Sequence, residues 1–128
     1  MMSQTALAAP LKGLMVLLVE DHDDSRDVVR AMLEYAGAFV VAVASVDDAI
    51  HESRSLRIDV VVTDIGLRRI PGTWFVEDGR LKRYKGVPVI AVTGRDIPTS
   101  LRAMFDAVLE KPVDADTLTR AIRRVTRR

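Results

Sequence analysis

The chain contains no cysteine, so disulfides, thiolate catalysis and zinc–sulfur sites are excluded. No targeting segment is expected either: the N-terminal residues carry no basic cluster, and Ala6–Leu11 is short and broken by Pro10. No apolar stretch approaches the length of a membrane span, and runs such as Leu14–Val19 suit a strand instead. No internal repeat or low-complexity segment is present. These absences leave a cytoplasmic, soluble domain without a membrane partner as the expectation.

What is present is ordinary in amount and uneven in placement. A length of 128 residues, with 48% hydrophobic and 29% charged side chains, is enough for one domain to bury a core of its own. The net charge of +1 hides an asymmetry: residues 1–64 hold 5 basic and 11 acidic side chains (−6), and residues 65–128 hold 14 and 7 (+7). Five arginines fall in the last nine residues. That tail admits an anionic partner, although a solvated helix face accounts for it as well.

Along the chain, apolar runs alternate with helical patterns. Residues 1–13 read as a flexible N-terminal lead, and 14–128 as one domain. Leu14–Val19 is apolar throughout, as a strand buried on both faces would be. The acidic stretch Glu20–Asp24 follows it, and Val28, Val29, Met32, Leu33 and Ala36 then mark one helical face that Gly37 stops. Phe39–Ala44 is a second strand. Ser45 and Asp48 resemble a capping box for a helix burying Val46, Ala49 and Ile50. Ile58–Thr63, Val87–Val92 and Ala107–Leu109 complete the strands. A short or irregular helix is expected from about Thr73, a brief one around Pro98–Phe105, and a last one over Asp114–Arg127. Five such alternations predict an α/β fold with a mainly parallel sheet and helices on both faces.

Four strand ends carry polar chemistry: Glu20-Asp21, Asp64, Thr93-Gly94 and Glu110-Lys111-Pro112. Singly, each reads as a cap, a turn residue or a surface charge. Together they place three carboxylates, one hydroxyl and one ammonium at the carboxyl edge of the sheet, where ligands collect in such folds. Clustered carboxylates repel unless a cation lies among them, and a hard, oxygen-seeking ion such as Mg²⁺ relieves that. An Asp beside such an ion can act as a nucleophile toward phosphorus. The chemistry thus points to phosphoryl acceptance at Asp64.

With Leu-Val-Glu20-Asp21, Val-Thr-Asp64-Ile-Gly-Leu, Val-Thr93-Gly and Lys111-Pro112 in this order, the chain resembles the receiver domains of two-component response regulators over roughly residues 14–127. The resemblance implies a flavodoxin-like, five-stranded parallel sheet of order 2-1-3-4-5. It implies Mg²⁺ held by Glu20, Asp21, Asp64 and the Gly66 carbonyl, and phosphoryl ligation by Thr93 and Lys111. It further implies a cis Lys111–Pro112 bond. The phosphodonor would be a histidine kinase or a histidine phosphotransfer protein. The chain would catalyse only its own phosphorylation and dephosphorylation, and would signal to another protein as a monomer or weak homodimer. Because it stops soon after the last helix pattern, a stand-alone receiver is expected.

Four features depart from the family pattern. Arg68, followed by Arg69, stands where a proline is usual. Val108 occupies the position of the aromatic switch. The interval from Thr93 to Lys111 is short, so the fourth helix should be truncated. Trp74 replaces a polar residue and reads either as core or as an exposed partner anchor. His22 and His51 read as surface residues. The rival readings are a receiver-shaped interaction module with vestigial phosphorylation, and a nucleic-acid binder working through the basic tail.

Overall fold

The structure is a computed structural model and describes residues 9–127. Its strands are β1 (Met15–Val19), β2 (Phe39–Val43), β3 (Val60–Asp64), β4 (Val89–Thr93) and β5 (Ala107–Glu110). They form one parallel sheet in the order β2-β1-β3-β4-β5. The inner strands are apolar up to their last one or two residues because both faces are covered. Val16, Leu18, Val60, Val62, Ile90 and Val92 point to one side. Leu17, Val19, Val61, Val89 and Ala91 point to the other.

The helices are α1 (Asp23–Tyr35), α2 (Val46–Glu52), α3 (Asp78–Leu81), α4 (Thr99–Arg102) and α5 (Ala115–Thr126). The starts of α1, α2 and α5 are set by side chains that satisfy free backbone donors. The Ser45 hydroxyl accepts from Asp48 N–H at 3.1 Å, and the Asp114 carboxylate accepts from Thr117 N–H at 2.7 Å. His22 caps α1 by accepting from Ser25 N–H through Nδ1 at 3.4 Å, a role that its surface position in the sequence did not suggest. Gly37 ends α1 at φ 101°, in the left-handed region where a Cβ is disfavoured.

The segment from about Thr73 is irregular, as expected: a 3-10 turn over Gly72–Val76 leads into the single turn of α3. Gly72 is fixed by contact rather than by dihedral. A Cβ there would lie 2.0 Å from the Asp64 carbonyl oxygen, because the loop folds back onto the end of β3. The fourth helix is cut to Thr99–Arg102 and gives way to a turn before β5.

Residues 1–8 of the expected lead lie outside the described residues. Within its remainder Leu11 is fully buried, and its N–H donates to the Ala36 carbonyl at 2.9 Å. Residues 9–13 thus lie against the end of α1. Among the described residues no helix is long and apolar enough to cross a membrane.

Candidate functional site at the carboxyl edge of the sheet

Parallel strands all present their carboxyl ends to one edge, so residues far apart in sequence meet there. Glu20 follows β1, Asp64 ends β3, and Lys111 follows β5. One carboxylate oxygen from each of Glu20, Asp21 and Asp64 lies within 4.8 Å of the others. The Lys111 ammonium donates to Glu20 Oε1 at 2.9 Å and to Asp64 Oδ2 at 3.0 Å. Glu20 is buried and Asp64 nearly so, with 15% of its side chain exposed.

Backbone donors fix the acids. His22 N–H reaches Glu20 Oε2 at 3.1 Å, and Gly66 N–H reaches Asp64 Oδ1 at 3.0 Å. Arg26 secures the turn after β1 by donating to the Glu20 carbonyl at 2.9 Å and to Asp23 at 2.7 Å. Burial pulls the Lys111 pKa down, but hydrogen bonds to Glu20 and Asp64 and their charges outweigh it, and the net shift is upward. Lys111 therefore remains an ammonium at neutral pH. The Lys111–Pro112 bond is cis.

Thr93 closes the end of β4 and is 5% exposed. Its hydroxyl accepts from Arg95 N–H at 3.3 Å and donates to the Arg95 carbonyl at 3.1 Å. The structure thus brings Glu20, Asp21, Asp64 and Lys111 into one cluster, with Gly66 bonded to Asp64, while the Thr93 hydroxyl bonds within its own turn. Glu110 ends β5 as an exposed residue. Beside the cluster, a cleft of about 510 Å³ runs past Val28, Val29 and Met32 of α1 to Val92 and Pro112.

The donor set fits a hard divalent ion. Three carboxylates less one ammonium leave a formal −2, and oxygen ligands of this kind are those that Mg²⁺ or Ca²⁺ takes. No sulfur is present and no histidine joins the cluster, which disfavours softer metals.

The residues that depart from the family pattern have definite places. The Arg68 side chain is largely exposed, yet its Nε lies 3.4 Å from Asp21 Oδ2, and its backbone N–H reaches the same oxygen at 3.3 Å. Arg69 turns the opposite way and pairs with Asp47 at the start of α2. Trp74 is half-buried and packs edge-on against Phe75 and Tyr84, with ring centroids 5.3 and 6.1 Å apart. It serves the core more than a partner. Val108 packs partly buried in the same cluster, and His51 is exposed. Sequence reasoning missed Gly72, Arg26 and the Arg68–Asp21 pair. A glycine directly after a proline in the loop following Asp64 was the one available signal for Gly72.

Residues 16–123 match the response regulator receiver domain family. The transcriptional regulatory protein AfsQ1 of Streptomyces coelicolor is 33% identical over 117 residues, covering 88% of this chain and 51% of the relative. The chain thus spans about half the length of that protein. An uncharacterised 14.6 kDa protein of Leptolyngbya boryana is 30% identical, covering 84% of this chain and 86% of its own. Among solved structures, chemotaxis response regulator CheY4 of Vibrio cholerae superimposes with a TM-score of 0.81 at 28% identity, covering 88% of this chain and 98% of that one. The receiver domain of a sensor histidine kinase from Pseudomonas aeruginosa, solved with a magnesium ion coordinated in its active site cleft, superimposes at 0.77 with 29% identity, covering 89% and 98%. With the fold, the site and these likenesses in agreement, the chain belongs to the response regulator receiver domain family of two-component signalling.

Proposed function

We propose that Asp64 is a phosphoacceptor, working with Mg²⁺ held by Glu20, Asp21, Asp64 and the Gly66 carbonyl. The observation that carries this reading is the cluster itself: three carboxylates within 4.8 Å and an ammonium 3.0 Å from Asp64. The bound ion would supply charge neutralisation for the transferring phosphoryl group.

In the proposed step an Asp64 carboxylate oxygen forms a bond to phosphorus. The bond from phosphorus to the donor's leaving nitrogen, on a phosphohistidine, breaks with its electron pair. The product is an acyl phosphate, and the donor ring, protonated on its other nitrogen, leaves as neutral imidazole. Lys111 stays protonated and meets the phosphoryl oxygens from the β5 side. Thr93 gives up its bond to Arg95 and donates its hydroxyl to the same group. The donor would be a histidine kinase or histidine phosphotransfer protein, and the consequence a change in protein–protein contacts in the cytoplasm. Catalysis is confined to the chain's own phosphorylation and dephosphorylation.

Incubation with Mg²⁺ and a small phosphodonor, read by intact mass, tests this. One added phosphoryl group is expected, absent in Asp64→Asn and absent after chelation of the metal. An unmodified wild-type chain under these conditions would favour a receiver fold retained only for interaction.

A further inference from the structure

The loop after β3 places a second cation on the proposed metal site. Arg68 reaches Asp21 Oδ2 with both its Nε, at 3.4 Å, and its backbone N–H, at 3.3 Å. Arg69 sits at φ 66°, in a region that non-glycine residues seldom occupy outside tight turns. The turn is closed by Ile70 N–H donating to the Arg68 carbonyl at 2.8 Å. This bend sends the two side chains in opposite directions, Arg68 to Asp21 and Arg69 to Asp47 on α2. Further along, Gly72 N–H donates to the Ile65 carbonyl at 3.0 Å, so the loop is anchored beyond the arginines as well.

A charge count indicates what this does. Glu20, Asp21 and Asp64 with Lys111 sum to −2, and Arg68 brings the site to −1. The neighbouring Arg26–Asp23 pair cancels itself. A dication entering the site meets Arg68 as a repelling neighbour and as a competitor for Asp21. The Arg69–Asp47 pair keeps the displaced guanidinium close, at high effective concentration.

We propose that Arg68 is a built-in counter-cation of the metal site, competing with the divalent ion for Asp21 and setting the affinity for that ion. The proposal rests on the metal-site reading above and adds to it a residue that is not itself a metal ligand. Asp21 would stay oriented in an Arg68→Ala chain, because the backbone N–H of residue 68 still reaches Oδ2. Loss of the guanidinium therefore removes charge without freeing the ligand.

The test is calorimetric titration of the full chain with MgCl₂ at fixed ionic strength. Arg68→Ala is expected to bind Mg²⁺ roughly two- to five-fold more tightly than wild type, the range an exposed ion pair supports. Arg68→Lys should return most of the way to wild type. The gain should shrink as monovalent salt is raised, since the guanidinium is largely exposed. Arg124→Ala, on the exposed side of α5, should leave the affinity unchanged. Equal or weaker binding by Arg68→Ala, or an equal gain in Arg124→Ala, would overturn the proposal while leaving the metal site standing. Binding by Arg68→Ala alone would support it strongly. Absence of binding by both chains would overturn the metal-site reading and this proposal together.

Discussion

On one face of the sheet, α1 and α5 run 13 and 12 residues, and the core beneath them is entirely aliphatic. On the other face, α2 has 7 residues, α3 and α4 have 4 each, and a 3-10 turn fills part of the layer. There the core holds Phe75, Tyr84 and Phe105, with Trp74 and Val108 packed against it. The strands are equally apolar on both sides. What differs is how they are covered: by long helices with small repeating contacts, or by short segments carrying large rings. Aromatic side chains bury more area per residue, so they can replace missing helical turns. The contrast also separates roles. The acids and Lys111 are hung on strand ends shared by both faces, whereas the irregular covering carries Trp74 and the shortened α4.

The comparison can be broken first at Phe75, which is fully buried. Phe75→Ala should cost about 4 kcal/mol, against about 3 for Leu118→Ala on the helical face. Urea unfolding of both variants checks this, and a smaller loss at Phe75 than at Leu118 would mean that the rings do not carry the irregular face. Next comes Gly72, where the added methyl would meet the Asp64 carbonyl. Gly72→Ala should cost about 3 kcal/mol and should also reduce Mg²⁺-dependent phosphorylation, measured by intact mass. Unchanged phosphorylation would show that the loop's close approach does not position Asp64.

A smaller effect is expected at Tyr84, whose hydroxyl lies 2.7 Å from the buried Ser53 hydroxyl. Tyr84→Phe should lose about 1 kcal/mol, because Ser53 keeps its bond to the Ala49 carbonyl at 2.7 Å. Denaturation midpoints of the two proteins decide it.

The smallest effect sharpens the helical face. The Asp114 carboxyl lies below its usual value of 3.8 because Thr117 N–H donates to the carboxylate at the head of α5. A depressed carboxyl stabilises the fold above the unfolded-state pKa, and that contribution fades as pH falls through the folded one. Asp114→Asn keeps an acceptor that does not titrate. The stability difference between wild type and Asp114→Asn should therefore be constant near neutrality and should shift in favour of the variant below about pH 4. Unfolding curves at pH 6 and pH 3 measure it, and a difference independent of pH would remove the carboxylate from the cap.

Much of the site could be read along the chain because its groups stand at the ends of apolar runs. Asp64 after Val60–Thr63 and Glu20 after Leu14–Val19 each mark where an apolar strand run ends in a carboxylate. The helices α1 and α5 were legible for a similar reason, since a 3.6-residue period is a local property. The 3-10 turn was anticipated only as irregularity. The burial of Leu11 and the inward packing of Trp74 were not resolved, because each depends on which distant surface the segment meets.

The sequence by itself thus determined which segments are strands, which helical faces are apolar, and which groups stand at strand ends. Those properties depend on neighbours a few residues apart. The tertiary structure decided which charges meet. Lys111 bonds to Glu20 across 91 positions, and Arg68 to Asp21 across 47. Parallel topology and the bend at Arg69 set those separations, and no local pattern encodes them.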